Sequence, residues 1–174
     1  MQNLRNNMKG AISEKVQQQT ANSQSPELKY CYKYPHPAVT ADCVIFGFDQ
    51  SNKMKVLLIQ RGNDPYKGKW AFPGGFMEID ETAEQCARRE LEEETGLKDV
   101  TVEQFYTFTD VNRDPRERVI TVAHYALVKL SEVKGGDDAD DAQWFSLDEL
   151  PPLAFDHEKI LNKALQTLKE KKKL

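Results

Sequence analysis

Residues 75–97 read GFMEIDETAEQCARRELEEETGL, and their periodicity limits the fold more than any other part of the chain. Thr82 followed by Gln85 fits a reciprocal N-terminal cap, and Gly96 fits the left-handed residue that ends a helix. The spacing therefore predicts a helix over about 83–95. At ~100° per residue, Ala83, Cys86, Ala87, Glu90, Glu94 and Leu97 share one side, with Glu93 at its edge. Gln85, Arg88 and Glu92 take the opposite, wet side. Small residues in the first turns permit close packing on a sheet, so the carboxylates continue an inward stripe. The alternative, a solvated acidic face, conflicts with that phase. Three partly buried carboxylates in one turn repel one another, and each costs on the order of several kcal/mol to desolvate alone. A divalent cation removes the conflict, because carboxylate oxygens are the hard ligands that Mg²⁺ or Mn²⁺ prefers. Gly74 and Gly75 let the backbone come close, so a main-chain carbonyl could complete the shell.

Around this helix the chain alternates between strands and loops. Ala38–Phe48 is an apolar, β-branched run bounded by prolines and reads as a buried strand; KVLLIQR (55–61) is a second. Residues 62–69 are a Gly/Pro/Asp loop, and WAFPGGF (70–76) leads into the helix. Residues 102–110 and 118–130 read as further strands, joined by a loop with three arginines and Pro115. SEVKGGDDADD is an acidic turn, and AQWFSLDEL leads to the Pro151–Pro152 break. FDHEKILNKALQTLKEKKKL places Ile160, Leu161, Ala164, Leu165 and Leu168 at helical spacing, with Asp156 as cap and lysines at the end. This order implies an α/β fold: a mixed sheet with helices on both faces. Residues 1–33 are a polar Gln/Asn/Ser-rich leader, with a short helix at 10–19, and 34–174 form one domain.

Charge narrows the function. A net charge of −4 and a pI near 5.5 argue against nucleic acid as partner, since a duplex binder normally shows a basic face. An anionic small molecule fits an acidic site once a divalent cation inverts the local charge. Three cysteines without CxxC spacing suit reduced thiols in a cytoplasmic protein. Nothing reaches the ~18 apolar residues of a membrane span.

The stretch from Gly75 to Leu97 resembles the Nudix box, Gx5Ex7REUxEExGU with U aliphatic: Gly75, Glu81, Arg89, Glu90, Leu91, Glu93, Glu94, Gly96 and Leu97 match it without a gap. The resemblance runs from about Tyr34 to Leu168, including LIQR, GKWAFPGGF, AQWFSLDELP and LAFDHEKIL. It implies an α/β/α sandwich with the box as loop–helix–loop. It also implies a hydrolase that cleaves the pyrophosphate of a nucleoside diphosphate linked to another moiety, with Mg²⁺ or Mn²⁺ as cofactor. Glu90, Glu93, Glu94 and the carbonyl of Gly74 would be the metal ligands, with Glu81 and Arg89 supporting loop and helix. The base would be a box glutamate or an acid of the later loop (Asp137, Asp138, Asp140, Asp141), with Asp138 the candidate.

For substrate, Arg61, Arg113 and Arg116 suit phosphate oxygens, as does Arg118. Phe76, Phe105, Tyr106 and Phe108 could stack on a purine or fill the core, and Trp70 and Trp144 read as packing anchors. His157 is either a polar contact near the site or a first-turn helix residue. The whole-chain pattern resembles the ADP-ribose pyrophosphatase branch, although many of its members carry a proline 16 residues past the box and Pro115 lies 18 past Leu97. Two other readings stand beside that one. The first is a pyrophosphohydrolase of oxidised nucleoside triphosphates (8-oxo-dGTP-like). The second is a non-catalytic ADP-ribose sensor of the kind fused to a winged helix, which the intact box and the chain's end after one late helix disfavour. Relatives are commonly homodimers, and the leader could add to such an interface.

Overall fold

A computed structural model describes residues 32–136 and 139–173. Met1–Pro35 and His36–Leu174 are separate units, and the architecture below is that of the second. The expected leader helix at 10–19 lies outside the described residues. In chain order the elements are β1 (Ala38–Phe48), β2 (Met54–Arg61), β3 (Trp70–Ala71), β4 (Gly74–Phe76), α1 (Ala83–Thr95), β5 (Glu103–Phe108), β6 (Val119–Lys129), β7 (Ala139–Ser146) and α2 (His157–Glu170).

The described residues form a seven-stranded mixed sheet. β1 pairs with β6 in parallel along its whole length, from Ala38 opposite Val119 to Phe48 opposite Lys129. β5 continues the sheet antiparallel to β6. The other edge of β1 is shared: β4 pairs with Thr40–Asp42, and β2 with Phe46–Phe48. β1 and β2 therefore diverge, and WAFPGGF fills the wedge between them. β3 attaches to β2 at Ile59 and Gln60, and the Cys43 N–H donates to the Pro73 carbonyl at 2.8 Å.

β1 is apolar apart from Thr40 and Asp42 because both faces are covered. Ala41, Cys43 and Ile45, with Leu57 and Ile59 of β2, pack under α1 against Cys86, Ala87 and Leu91. Val44, Phe46, Val56 and Leu58 face the other way, onto Ile160, Leu161, Ala164 and Leu168 of α2. The α/β/α sandwich expected from the order of elements is the observed one.

Two local expectations are corrected. The acidic turn ends early, because Ala139–Ser146 is a strand on the outer edge of β2, with Leu57 opposite Trp144. Ala139 and Ala142 are buried while Asp140 and Gln143 face water, and a register shift opposite Gln60 and Arg61 breaks the strict alternation that would mark a strand beside four aspartates. Asp156 occupies the N-cap position of α2, but its side chain makes no capping bond. Its carboxylate goes to a buried arginine instead. Among the described residues no helix is long and apolar enough to cross a membrane, and Cys43 and Cys86 are buried free thiols.

Candidate active site

α1 starts and stops where its sequence directs. The Thr82 side chain accepts from the Gln85 N–H while the Gln85 side chain accepts from the Thr82 N–H, and Gly96 ends the helix at φ 74°. Cys86, Ala87 and Glu94 are buried and Gln85, Arg88 and Glu92 exposed, as the phase requires. Leu91 and Thr95 are buried as well, and Ala83 is only half-buried, so the inward face is rotated slightly toward Leu91.

That rotation sets the carboxylates at graded depths. Glu94 is 6 % exposed and accepts a hydrogen bond from the Gly74 N–H at 2.9 Å. Burial, with the nearby charges of Glu90 and Asp42, pushes its carboxyl up to about 8 against the pull of that bond. Glu90 is raised too, chiefly by burial and against the pull of Arg89. Glu93 is exposed at the rim. The two glycines of the loop leave room for different neighbours, Gly75 for the Glu90 carboxylate and Gly74 for the backbone of β1. A Cβ on Gly75 would lie 2.3 Å from Glu90 Oε1, and one on Gly74 would lie 2.3 Å from the Ala41 carbonyl oxygen.

Arg89 ties loop to helix. Its fork grips Glu81, Nε to Oε2 at 3.0 Å and Nη2 to Oε1 at 2.6 Å, and Nη2 also donates to the Phe76 carbonyl at 3.3 Å. Nη1 bridges Glu90 Oε1 at 2.8 Å and Glu93 Oε2 at 3.0 Å. This fork, helped by the Glu78 N–H, holds the Glu81 carboxyl down at about 2. Among the described residues no three acidic, His or Cys side chains converge as metal ligands. Glu90 and Glu93 are turned onto Arg89, whose positive charge balances them. The donor set still suits a hard cation: a buried Glu94 raised by burial, a second carboxylate cradled over Gly75, and a third at the rim.

Nine of the expected site residues border one cavity of about 490 Å³: Arg61, Gly74, Phe76, Arg89, Glu90, Glu93, Glu94, Arg113 and Arg116. Arg118 is not among its lining residues and donates to the Thr109 and Asp110 carbonyls, while Asp140 and Asp141 lie on β7 and Phe105, Tyr106 and Phe108 on β5, away from the lining. Asp138 lies outside the described residues. The arginines differ in what they do. The Arg61 guanidinium lies 4.9 Å from the Phe155 ring centre. Arg116 lies 4.9 Å from Phe76 and 5.6 Å from Phe155, with its fork on Asp114. Arg113 is buried, and its fork is taken by Asp156 at 2.7 and 3.1 Å.

Sequence reasoning passed over Asp42 and Phe155 and left His157 open. All three line the cavity. Asp42 carried a signal, being the one charged residue in the apolar run of β1, where an unpaired charge would be costly. Phe155 stands at φ 50°, a conformation rare for a bulky residue, and this turns the chain into α2. His157 is both of the things considered for it: the first residue of α2 and a cavity residue. Its Nδ1 accepts from the Phe72 N–H at 2.9 Å, its ring stacks on Phe72, and burial lowers its pKa.

Residues 36–166 match the NUDIX domain family. The chain belongs to the Nudix family. It is 45% identical over 135 residues to an ADP-ribose pyrophosphatase of Methanocaldococcus jannaschii, covering 78% of this chain and 77% of that one. It is 36% identical over 143 residues to the ADPR responsive transcriptional repressor NtrR of Acinetobacter baylyi, covering 79% of this chain but 57% of the repressor. Among solved structures, the NUDIX domain of Shewanella oneidensis NrtR complexed with ADP ribose superposes with a TM-score of 0.74 at 32% identity, over 84% of this chain and 99% of that domain. With every fixed position of the box in place, the chain is a Nudix pyrophosphohydrolase.

Proposed function

We propose that this Nudix protein hydrolyses the pyrophosphate bond of ADP-ribose, giving AMP and ribose 5-phosphate, in a reaction that requires Mg²⁺ or Mn²⁺. The observation that carries this reading is the content of one cavity. Box carboxylates border it together with arginine and aromatic side chains suited to the phosphates and rings of a nucleoside diphosphate. The similarity to an ADP-ribose pyrophosphatase and to an ADP-ribose-bound domain supports the choice of substrate.

Glu90, Glu93 and Glu94, with the Gly74 carbonyl, would hold the cation. When bound, it neutralises the diphosphate, stabilises the leaving oxygen and lowers the pKa of water. The chain's own residues do the rest. Arg89 holds Glu90 and Glu93 beside the loop, where they would meet the cation. Arg61 and Arg116 bring cationic edges to the phosphates, and Phe76, 41 % exposed, offers a ring for adenine. Arg113, sequestered by Asp156, shapes the cavity rather than gripping the ligand. A box glutamate serves as base.

The test is a substrate panel with Mg²⁺ and with Mn²⁺, following product masses: ADP-ribose, NADH, diadenosine polyphosphates and oxidised dGTP. ADP-ribose is expected to have the highest kcat/KM and to give AMP. A preference for oxidised dGTP by about tenfold or more overturns the substrate and leaves the metal chemistry standing. Tight binding of ADP-ribose without turnover would point to a sensor instead.

A further inference from the structure

Asp42 and His157 face each other inside the cavity without bonding. The gap from His157 Nε2 to Asp42 Oδ1 is 4.0 Å, too long for a direct hydrogen bond. Both side chains are more than nine-tenths buried, and both line the cavity. Each is fixed from behind by a separate part of the fold. The Phe72 N–H can only donate, so His157 Nδ1 must accept, and the ring proton of the neutral imidazole sits on Nε2. On the other side, Thr121 donates to Asp42 Oδ2 at 2.6 Å, and Arg113 Nη2 lies 3.8 Å from that same oxygen. Oδ1 and Nε2–H are thus an acceptor and a donor held at a set separation. An oxygen about 2.8 Å from each would subtend an angle of about 90°, workable for a group that gives one hydrogen bond and receives one.

This pairing selects a chemistry. A phosphate oxygen would meet the Asp42 carboxylate as a like charge, and a cation would meet the N–H of His157. A hydroxyl satisfies both, either that of a sugar or that of a water which a sugar hydroxyl would displace. We propose that Asp42 and His157 form a seat for one sugar hydroxyl of the substrate, Asp42 accepting its proton and His157 donating to its oxygen. The proposal rests on the reading of the substrate as a nucleoside diphosphate sugar, and it makes these two residues determinants of sugar specificity.

The test uses His157→Asn and a set of ADP-ribose analogues, each lacking one ribose hydroxyl. The Asn side-chain oxygen stands near the place of Nδ1 and keeps an acceptor for the Phe72 N–H, while nothing reaches the place of Nε2. The wild-type protein should disfavour one analogue by about 10- to 100-fold in kcat/KM, the worth of a hydrogen bond to a charged partner. His157→Asn should lose a similar factor on ADP-ribose and little on that analogue, so that the preference collapses. Asp42→Asn, which keeps the shape but removes the charge, should collapse the same preference. Melting curves identify a variant that fails to fold, and the other variant then carries the test. An equal loss on every substrate means that the pair acts on the attacking water or on cavity shape, and overturns the proposal. Unchanged selectivity overturns it as well. Should the wild-type protein turn over another nucleotide and not ADP-ribose, the substrate reading fails by itself. The seat is then decided with the deoxy analogues of that nucleotide.

Discussion

Arg89 is the residue on which the site turns, because one guanidinium serves Glu81, Glu90 and Glu93 at once. Lysine keeps the charge but has no planar fork, so it cannot span these carboxylates. Arg89→Lys is expected to lower kcat by about tenfold or more through misplaced carboxylates, whereas Arg88→Lys, one position along on the wet side, should be neutral within error. Steady-state kinetics with saturating Mg²⁺ checks the contrast, and equal effects at both positions would refute it. Glu93→Gln and Glu94→Gln should each cost about 10²-fold or more in kcat with circular dichroism unchanged. Wild-type turnover in either variant, or full activity in excess chelator, would remove the metal-ligand assignment.

At the scale of elements, two glycines make opposite demands. Gly96 has a left-handed backbone with nothing within 4 Å of the place of a Cβ, so Gly96→Ala meets only conformational strain, worth about 1 kcal/mol. Gly74 lies where β4 presses on β1, and the atom a Cβ would strike is a backbone oxygen that cannot swing aside. Gly74→Ala should cost about 3 kcal/mol and displace the N–H that bonds Glu94. Urea unfolding of the two variants gives the comparison, and equal costs would mean that the wedge is softer than drawn. The same scale shows what local sequence conveyed. The caps, phase and end of α1 are set by residues within one contiguous stretch, and all were legible. β7 was not, because Ala139–Ser146 becomes a strand through the edge that β2 leaves open some 80 residues earlier.

For the whole molecule, the deep carboxylates make stability depend on pH and metal together. Glu94 has a folded-state pKa of about 8 against 4.5 for the free side chain, so the folded protein binds its proton more tightly than the unfolded chain does. Stability without metal is therefore lost as pH rises from 4.5 to about 8. His157, lowered by burial, acts in the other direction, but only below 6.5, where the unfolded chain takes up a proton that the folded one resists. Between pH 6.5 and 8 the glutamate effect stands alone. In chelator, Tm should fall across that window by about 5 °C, and Glu94→Gln should flatten the fall. Saturating Mg²⁺ should raise Tm more at pH 8 than at pH 6.5, since metal and proton compete for the same oxygens. A flat chelator profile for the wild-type protein would show that Glu94 is not held neutral by burial.

The sequence by itself determined the family, the box helix and its inward carboxylates, the two longest strands and the late helix. These rest on local spacing: a cap three residues from its partner, an apolar period, a fixed interval from Gly75 to Leu97. Only the tertiary structure decided which distant groups meet. The Phe72 N–H found the ring of His157, 85 residues away, and so set its tautomer. Arg113, expected at a phosphate, took Asp156 away from its helix cap, because a guanidinium buried in the interior needs a carboxylate more than an N-terminal turn does. Asp42 came to lie beside Gly74 because the two occupy one register position between β1 and β4. Such pairings are settled by strand register and by the neutralisation of buried charge, and neither leaves a periodic trace in the chain.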